Sequence, residues 1–100
     1  MIAMLTRLRV REGKWGKVAD VYQAEAWPLL RELPGFRGAI VFGDPATRVA
    51  GSLIRFDRQS QLQAALDNPD FQAVLAKLAT LYEGAPERQF VQVLLEHDMK

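Results

Sequence analysis

Few side chains in this sequence are equipped for chemistry, and their types narrow what that chemistry is. There is no cysteine, which removes disulfides, thiolate metal sites, iron–sulfur clusters and cysteine nucleophiles together. The single histidine, His97, cannot build an ordinary zinc site alone, and near the end of the last expected strand its plain reading is a solvated surface residue. A Ser-His-Asp triad would need His97 with Ser52 or Ser60, and no feature of the sequence brings them together. Gly13 and Gly16 match no phosphate-loop pattern. Arg37 and Arg48 read as solvated edges. Neither a metal nor a cofactor is expected.

What remains is a small set of hydroxyls among apolar and aromatic neighbours. If Thr6 faces the helices, strand parity places Met4, Leu8, Ser52, Ile54 and Phe56 on the same layer. Tyr22 lies on the inward stripe of the first helix, with Trp27 beside Pro28. Phe71, Leu75, Leu78 and Tyr82 are spaced for the inward stripe of the last helix. For any one aromatic the plain reading is core. The polar members say more, because Thr6, Tyr22, Ser52 and Tyr82 each need a partner if buried. A pocket holding water or a ligand would supply one. A mostly apolar cavity with few polar groups suits a small planar aromatic molecule.

The elements that must position these residues follow from periodicity and turn chemistry. Ile2–Val10 is rich in β-branched and aliphatic residues and reads as a strand, followed by a turn at Arg11-Glu12-Gly13. From Lys14 to about Leu33 apolar residues recur at helical spacing. Pro28 lies inside that run and lacks a backbone donor, so a kink or break is expected near Trp27. Pro34-Gly35 stops the helix. Strands are expected over residues 36–42 and 47–56, paired as a hairpin around Gly43-Asp44-Pro45-Ala46. A short helix spans 57–66. Asn68 as cap, Pro69 at the first helical position and Asp70 in the first turn start another, running to about Tyr82. Gly84-Ala85-Pro86 ends it, and residues 87–96 form the last strand.

The order β-α-β-β-α-α-β is the split-βαβ, ferredoxin-like arrangement of an α+β protein. Right-handed crossovers put strands one and three in the centre of a four-stranded antiparallel sheet, with all helices on one face. The strands do not alternate apolar with polar residues. Ala3 and Leu5 oppose Ile2 and Met4, and Leu53 opposes Ile54. Both faces are therefore largely apolar, and the helices cover one. The uncovered face would exceed the apolar patch a soluble monomer tolerates. A second copy packing sheet to sheet is the expected cover.

Length and composition set the bounds. One hundred residues, 49% hydrophobic and 25% charged, suit one globular domain spanning residues 1–100. Thirteen basic and twelve acidic side chains, with no long basic run, do not point to nucleic acid. No window reaches ~18 uninterrupted apolar residues, so no membrane span is expected. The N-terminus, interrupted by Arg7 and Arg9, does not read as a signal peptide, and the expected location is the cytoplasm.

Three stretches together resemble a known family. They are WPLLRELPGFRGAIVF at 27–42, SLIRFDRQSQLQAAL at 52–66 and NPDFQAVLAKLATLYEG at 68–84. In this order and spacing the chain resembles the antibiotic biosynthesis monooxygenase-like domains of the dimeric α/β-barrel superfamily. The resemblance implies a homodimer whose two sheets close a barrel, with a pocket in each subunit between helices and sheet. Family members include cofactor-independent oxygenases that convert polyphenolic polyketides to quinones. A haem-degrading branch carries an Asn, a Trp and a haem-ligating His where this sequence has Thr6, Phe56 and Leu75. None matches, and a leucine cannot ligate iron.

The function the resemblance implies is a cofactor-independent monooxygenase acting on a small aromatic or polyphenolic compound. Tyr22 is the expected catalytic group, stabilising charge on the substrate. Thr6, Trp27, Ser52, Phe56, Phe71, Leu75 and Tyr82 are the expected substrate-binding residues, with Trp27 and Phe56 as stacking walls. The alternative is a non-catalytic dimeric α/β-barrel protein, small-ligand-binding or stress-related. A third reading is an interaction module with a filled core and no pocket.

Overall fold

The computed structural model describes residues 1–98. Four strands form one antiparallel sheet in the order β2-β3-β1-β4: β1 (Ile2–Val10), β2 (Phe36–Asp44), β3 (Val49–Phe56) and β4 (Tyr82–Gln92). The helices α1 (Trp15–Val21), α2 (Trp27–Leu30), α3 (Gln59–Asp67) and α4 (Pro69–Ala79) lie on one face. This is the expected ferredoxin-like topology, with strands one and three central. Met4, Ile54, Phe56, Leu30, Phe71 and Leu78 are fully buried between sheet and helices. No helix among the described residues is long and apolar enough to cross a membrane.

The start of α4 forms as its residue types dictate. The Asn68 side chain accepts from the backbone N–H of Asp70 at 2.9 Å and of Phe71 at 3.1 Å, with Pro69 in the first turn. Two donors that a helix end leaves orphaned are thereby satisfied.

The first helix differs from expectation in an instructive way. It is interrupted by a π-helical turn at Tyr22–Ala26, closed by the Trp27 N–H on the Tyr22 carbonyl, and helix resumes only over α2. Pro28 has no N–H for the α ladder, and the helix changes register in the turn just before it. The helix ends at Leu30 rather than Leu33.

The last strand corrects the sequence reading at both ends. Helix α4 stops at Ala79, so Tyr82 is not on its inward stripe; it opens β4 and pairs with Val10. Gly84-Ala85-Pro86 does not separate helix from strand but lies inside β4 as a bulge. Pairing passes from Arg7↔Glu87 to Arg9↔Glu83, two residues on β1 against four on β4. Gly84 takes φ +75° there, a conformation that favours glycine. The strand ends at Gln92, not Glu96. The Val93 N–H then bonds the Met1 carbonyl at 3.0 Å, and the following segment turns across one end of the helix-free face, where Glu96 meets Arg55 and Arg37.

That helix-free face is apolar mainly on β2, β3 and the first half of β1. Ile40 and Phe42 are half-exposed, and Leu53 and Leu5 continue the row of Ile40 across β3 and β1. The Phe42 ring lies over Gly51, where a Cβ would approach Cε1 to 2.7 Å. Toward β4 the face becomes polar, with Arg7, Glu87 and Gln89.

Candidate active site

The hydroxyls singled out above converge on one row of the sheet. Thr6 stands opposite Ser52 on β3 and opposite Arg88 on β4, and Ser52 stands opposite Val41 on β2. Val41, Ser52, Thr6 and Arg88 therefore cross the sheet in line on the helix side. Thr6 and Ser52 are buried polar side chains in an otherwise apolar layer. The Tyr22 hydroxyl, brought down by the π turn, donates to Ser52 Oγ at 3.3 Å. This gives Ser52 the partner that a buried hydroxyl requires.

Tyr82 approaches the same spot from the far end of β1. Burial pushes the Tyr22 hydroxyl above the usual tyrosine value, offset in part by Ser52, Arg88 and Tyr82. Burial also raises Tyr82, the neighbouring Tyr22 adds to it, and Arg88 opposes both. Near neutral pH both tyrosines are therefore neutral phenols, able to donate a hydrogen bond but not to act as phenolate bases. Arg88 supplies positive charge to both.

A cleft of about 260 Å3 opens beside Tyr22, between the π turn with α2 and the edge strand β2. Tyr22, Gln23, Trp27, Ala39 and Val41 form its walls. A second hollow of about 190 Å3 continues it toward Trp15, sharing Ala19 and Val41. At that end a Cβ on Gly43 would come within 2.6 Å of Trp15 Cη2, so glycine is what lets the indole reach the strand. The result is an apolar groove along β2 with a tryptophan at each end and Tyr22 in its wall.

The expected site residues divide accordingly. Tyr22 and Trp27 line the groove, Thr6 and Ser52 stand in the row behind it, and Tyr82 approaches the Tyr22 hydroxyl from the side. Phe56 and Phe71 are packed in the core. Phe56 reaches the groove only through neighbours: it meets Phe36 edge-on at 5.6 Å, and Phe36 meets Trp27 edge-on at 6.0 Å. Leu75 is partly buried against the core on α4. Among the described residues, no cluster of three or more His, Asp or Glu could hold a metal ion. His97 is exposed beyond the end of β4.

The sequence reading missed Gln23, Val41 and Arg88. Val41 follows from Ser52 once the hairpin register is known. Arg88 shares the face of Thr6, but the bulge in β4 conceals its register.

No protein-family model matches the sequence, and neither does any curated protein. Solved structures do match. A protein of unknown function from Nitrosomonas europaea, NE2512, is 24% identical over 99% of this chain and 94% of its own, with a TM-score of 0.80. SnoaB, a cofactor-independent oxygenase from Streptomyces nogalater, is 16% identical over 95% of this chain and 94% of its own, with a TM-score of 0.80. An antibiotic biosynthesis monooxygenase is 9% identical over 95% of this chain and 100% of its own, with a TM-score of 0.77. The chain thus has, over nearly its whole length, the fold of the antibiotic biosynthesis monooxygenase-like proteins.

Proposed function

We propose that this protein is a cytoplasmic, single-domain homodimer that oxygenates a small aromatic or polyphenolic compound without a cofactor. The carrying observation is the groove between Trp15 and Trp27, with the Tyr22–Ser52 hydroxyl pair in its wall. A flat ring fits between aromatic ends in such a space. The fold shared with SnoaB, a cofactor-independent oxygenase, supports the reaction class.

The protein's own part is binding, orientation and electrostatics. The substrate phenol gives up its proton to solvent water, and the electron-rich phenolate ring passes an electron to dioxygen. The reduced oxygen bonds to a ring carbon. Loss of water then leaves a quinone carbonyl, so one oxygen atom enters the product and the other leaves as water. When substrate binds, the neutral Tyr22 O–H turns from Ser52 to donate to the substrate oxygen where negative charge collects, with the Ser52 hydroxyl donating to Tyr22 in return and the Arg88 charge behind them. Ser52 holds the Tyr22 hydroxyl in position.

The assembly proposal rests on the other face. Ile40 and Phe42 are half in water on one chain, and the helices cover only the opposite side. A second copy of the same sheet covers them sheet to sheet.

The groove wall holds no histidine or carboxylate, and this observation favours the second reading, a non-catalytic small-ligand-binding protein. Oxygen consumption across a panel of hydroquinones separates the two. Catalysis predicts uptake that falls at least about tenfold in Tyr22→Phe. Unchanged turnover removes Tyr22 from the mechanism. Binding without uptake for every member of the panel leaves the ligand-binding reading.

A further inference from the structure

We propose that the segment after β4, residues 93–98, is a working part of the self-association surface, and that its Glu96 permits dimerisation by neutralising Arg55. This deepens the reading of the helix-free face given above and rests on it.

Arg55 lies on β3 with its side chain on that face, opposite Ala3 of β1 and Gly38 of β2. Its surroundings along the sheet are Leu53, Leu5 and Ile40, so it is a charge set among apolar and small residues. Gly38 leaves the space it occupies, since a Cβ there would stand 2.5 Å from Nη2. The Arg55 side chain is only 19% exposed in a single chain. Its Nε is buried with no acceptor among the described residues.

The counter-charge does not come from the sheet. Glu96 contacts Arg55 Nη1 and also accepts from Arg37 Nη2 at 3.3 Å, while Arg37 Nε lies 3.6 Å from Asp57. Two cations and two anions are thereby balanced at the end of β2 and β3. Glu96 reaches them because the Val93 N–H is tied to the Met1 carbonyl, which turns the segment across the sheet.

A second sheet laid on this face removes what water remains around Arg55. An unpaired guanidinium would then be buried against apolar side chains, at a desolvation penalty larger than a few such contacts return. Paired with Glu96 it enters the interface as a neutral unit. The same segment carries Leu94 and Leu95, 88% and 78% exposed, the most exposed large apolar side chains among the described residues. It therefore brings both the counter-charge and additional apolar surface to the interface, and a second copy of this chain is the partner that fits both.

Sedimentation equilibrium on the full chain tests this, with wild type, Glu96→Gln and the double variant Arg55→Leu/Glu96→Leu. The wild type should dimerise, and Glu96→Gln should weaken the dimer by roughly thirtyfold or more. The double variant has no charge to bury and should return to within about threefold of wild type. Circular dichroism melts check that each variant is folded. Should Glu96→Gln alone lose its fold, the double variant decides. A monomeric wild type overturns the dimer reading and this inference with it. A wild-type dimer that Glu96→Gln leaves unchanged, or a double variant no tighter than the single one, overturns this inference alone.

Discussion

The two faces of the sheet are built from the same strands by the same alternation, yet they solve opposite problems. On the helix side Thr6 and Ser52 are 7% and 2% exposed, polar groups placed where water is absent. On the other side Ile40 and Phe42 are 55% and 46% exposed, apolar groups placed where water is present. Each face thus carries a few residues that contradict their surroundings. On the helix side the contradiction is resolved within the chain for Ser52, by the Tyr22 hydroxyl. On the helix-free side it is not resolved for Ile40 and Phe42 by any described residue. Buried hydroxyls find partners within their own chain, whereas apolar groups left in water are the kind of surface a partner covers.

The largest expected effect tests that contrast in its simplest form. Phe56→Ala empties a fully buried position on the helix side and should lower the unfolding free energy by about 3–5 kcal/mol. Phe42→Ala on the other face should cost the separated chain less than about 1 kcal/mol. It should instead weaken self-association. Urea denaturation of both variants at a concentration where the chains are separate makes the comparison, and equal costs would erase it.

Alkaline pH probes the helix side alone. Both tyrosines have raised values when folded, so the folded chain keeps protons that the unfolded chain releases above about pH 10. Their stabilising contribution is complete below pH 10 and is lost as the pH climbs toward their folded values. Melting temperature should therefore fall more steeply between pH 9 and 11 for wild type than for Tyr22→Phe/Tyr82→Phe. Parallel curves would mean that burial does not shift these hydroxyls.

The smallest effect is the most local. Ser52→Ala removes one hydrogen bond and should cost about 1 kcal/mol. It also removes a group that can turn to donate to an ionised Tyr22, so the Tyr22 hydroxyl should rise further. Ultraviolet titration of tyrosine reads that shift directly. If the titration curve does not move, the Tyr22–Ser52 contact has no bearing on charge at the groove.

Much of the fold was legible in the sequence because local chemistry and global pattern agree. Asn68-Pro69-Asp70 names the start of α4 by its own donors and acceptors. Apolar residues on both faces of Ile2–Val10 and Val49–Phe56 mark them as strands, and right-handed crossovers place them in the centre. Legibility failed where one residue type serves two structures. Gly84-Ala85-Pro86 reads as a break by local rules, yet between paired strands it is a bulge. That break puts Tyr82 on a helix stripe in the sequence and conceals the register of Arg88. Both nevertheless come near Tyr22, because β4 lies beside β1 whichever way the bulge is read.

By itself, the sequence determined which residues are apolar, which few hydroxyls lie among them, and that the helices are too few to cover both faces of the sheet. Those are consequences of composition and of the periods 2 and 3.6, which are local. The tertiary structure alone decided that Ser52 meets Tyr22, that the π turn before Pro28 sets the groove wall, and that Glu96 answers Arg55. Each of these depends on register between segments 30 to 41 residues apart or on a helix changing its turn, and such pairing is fixed only when the whole core closes.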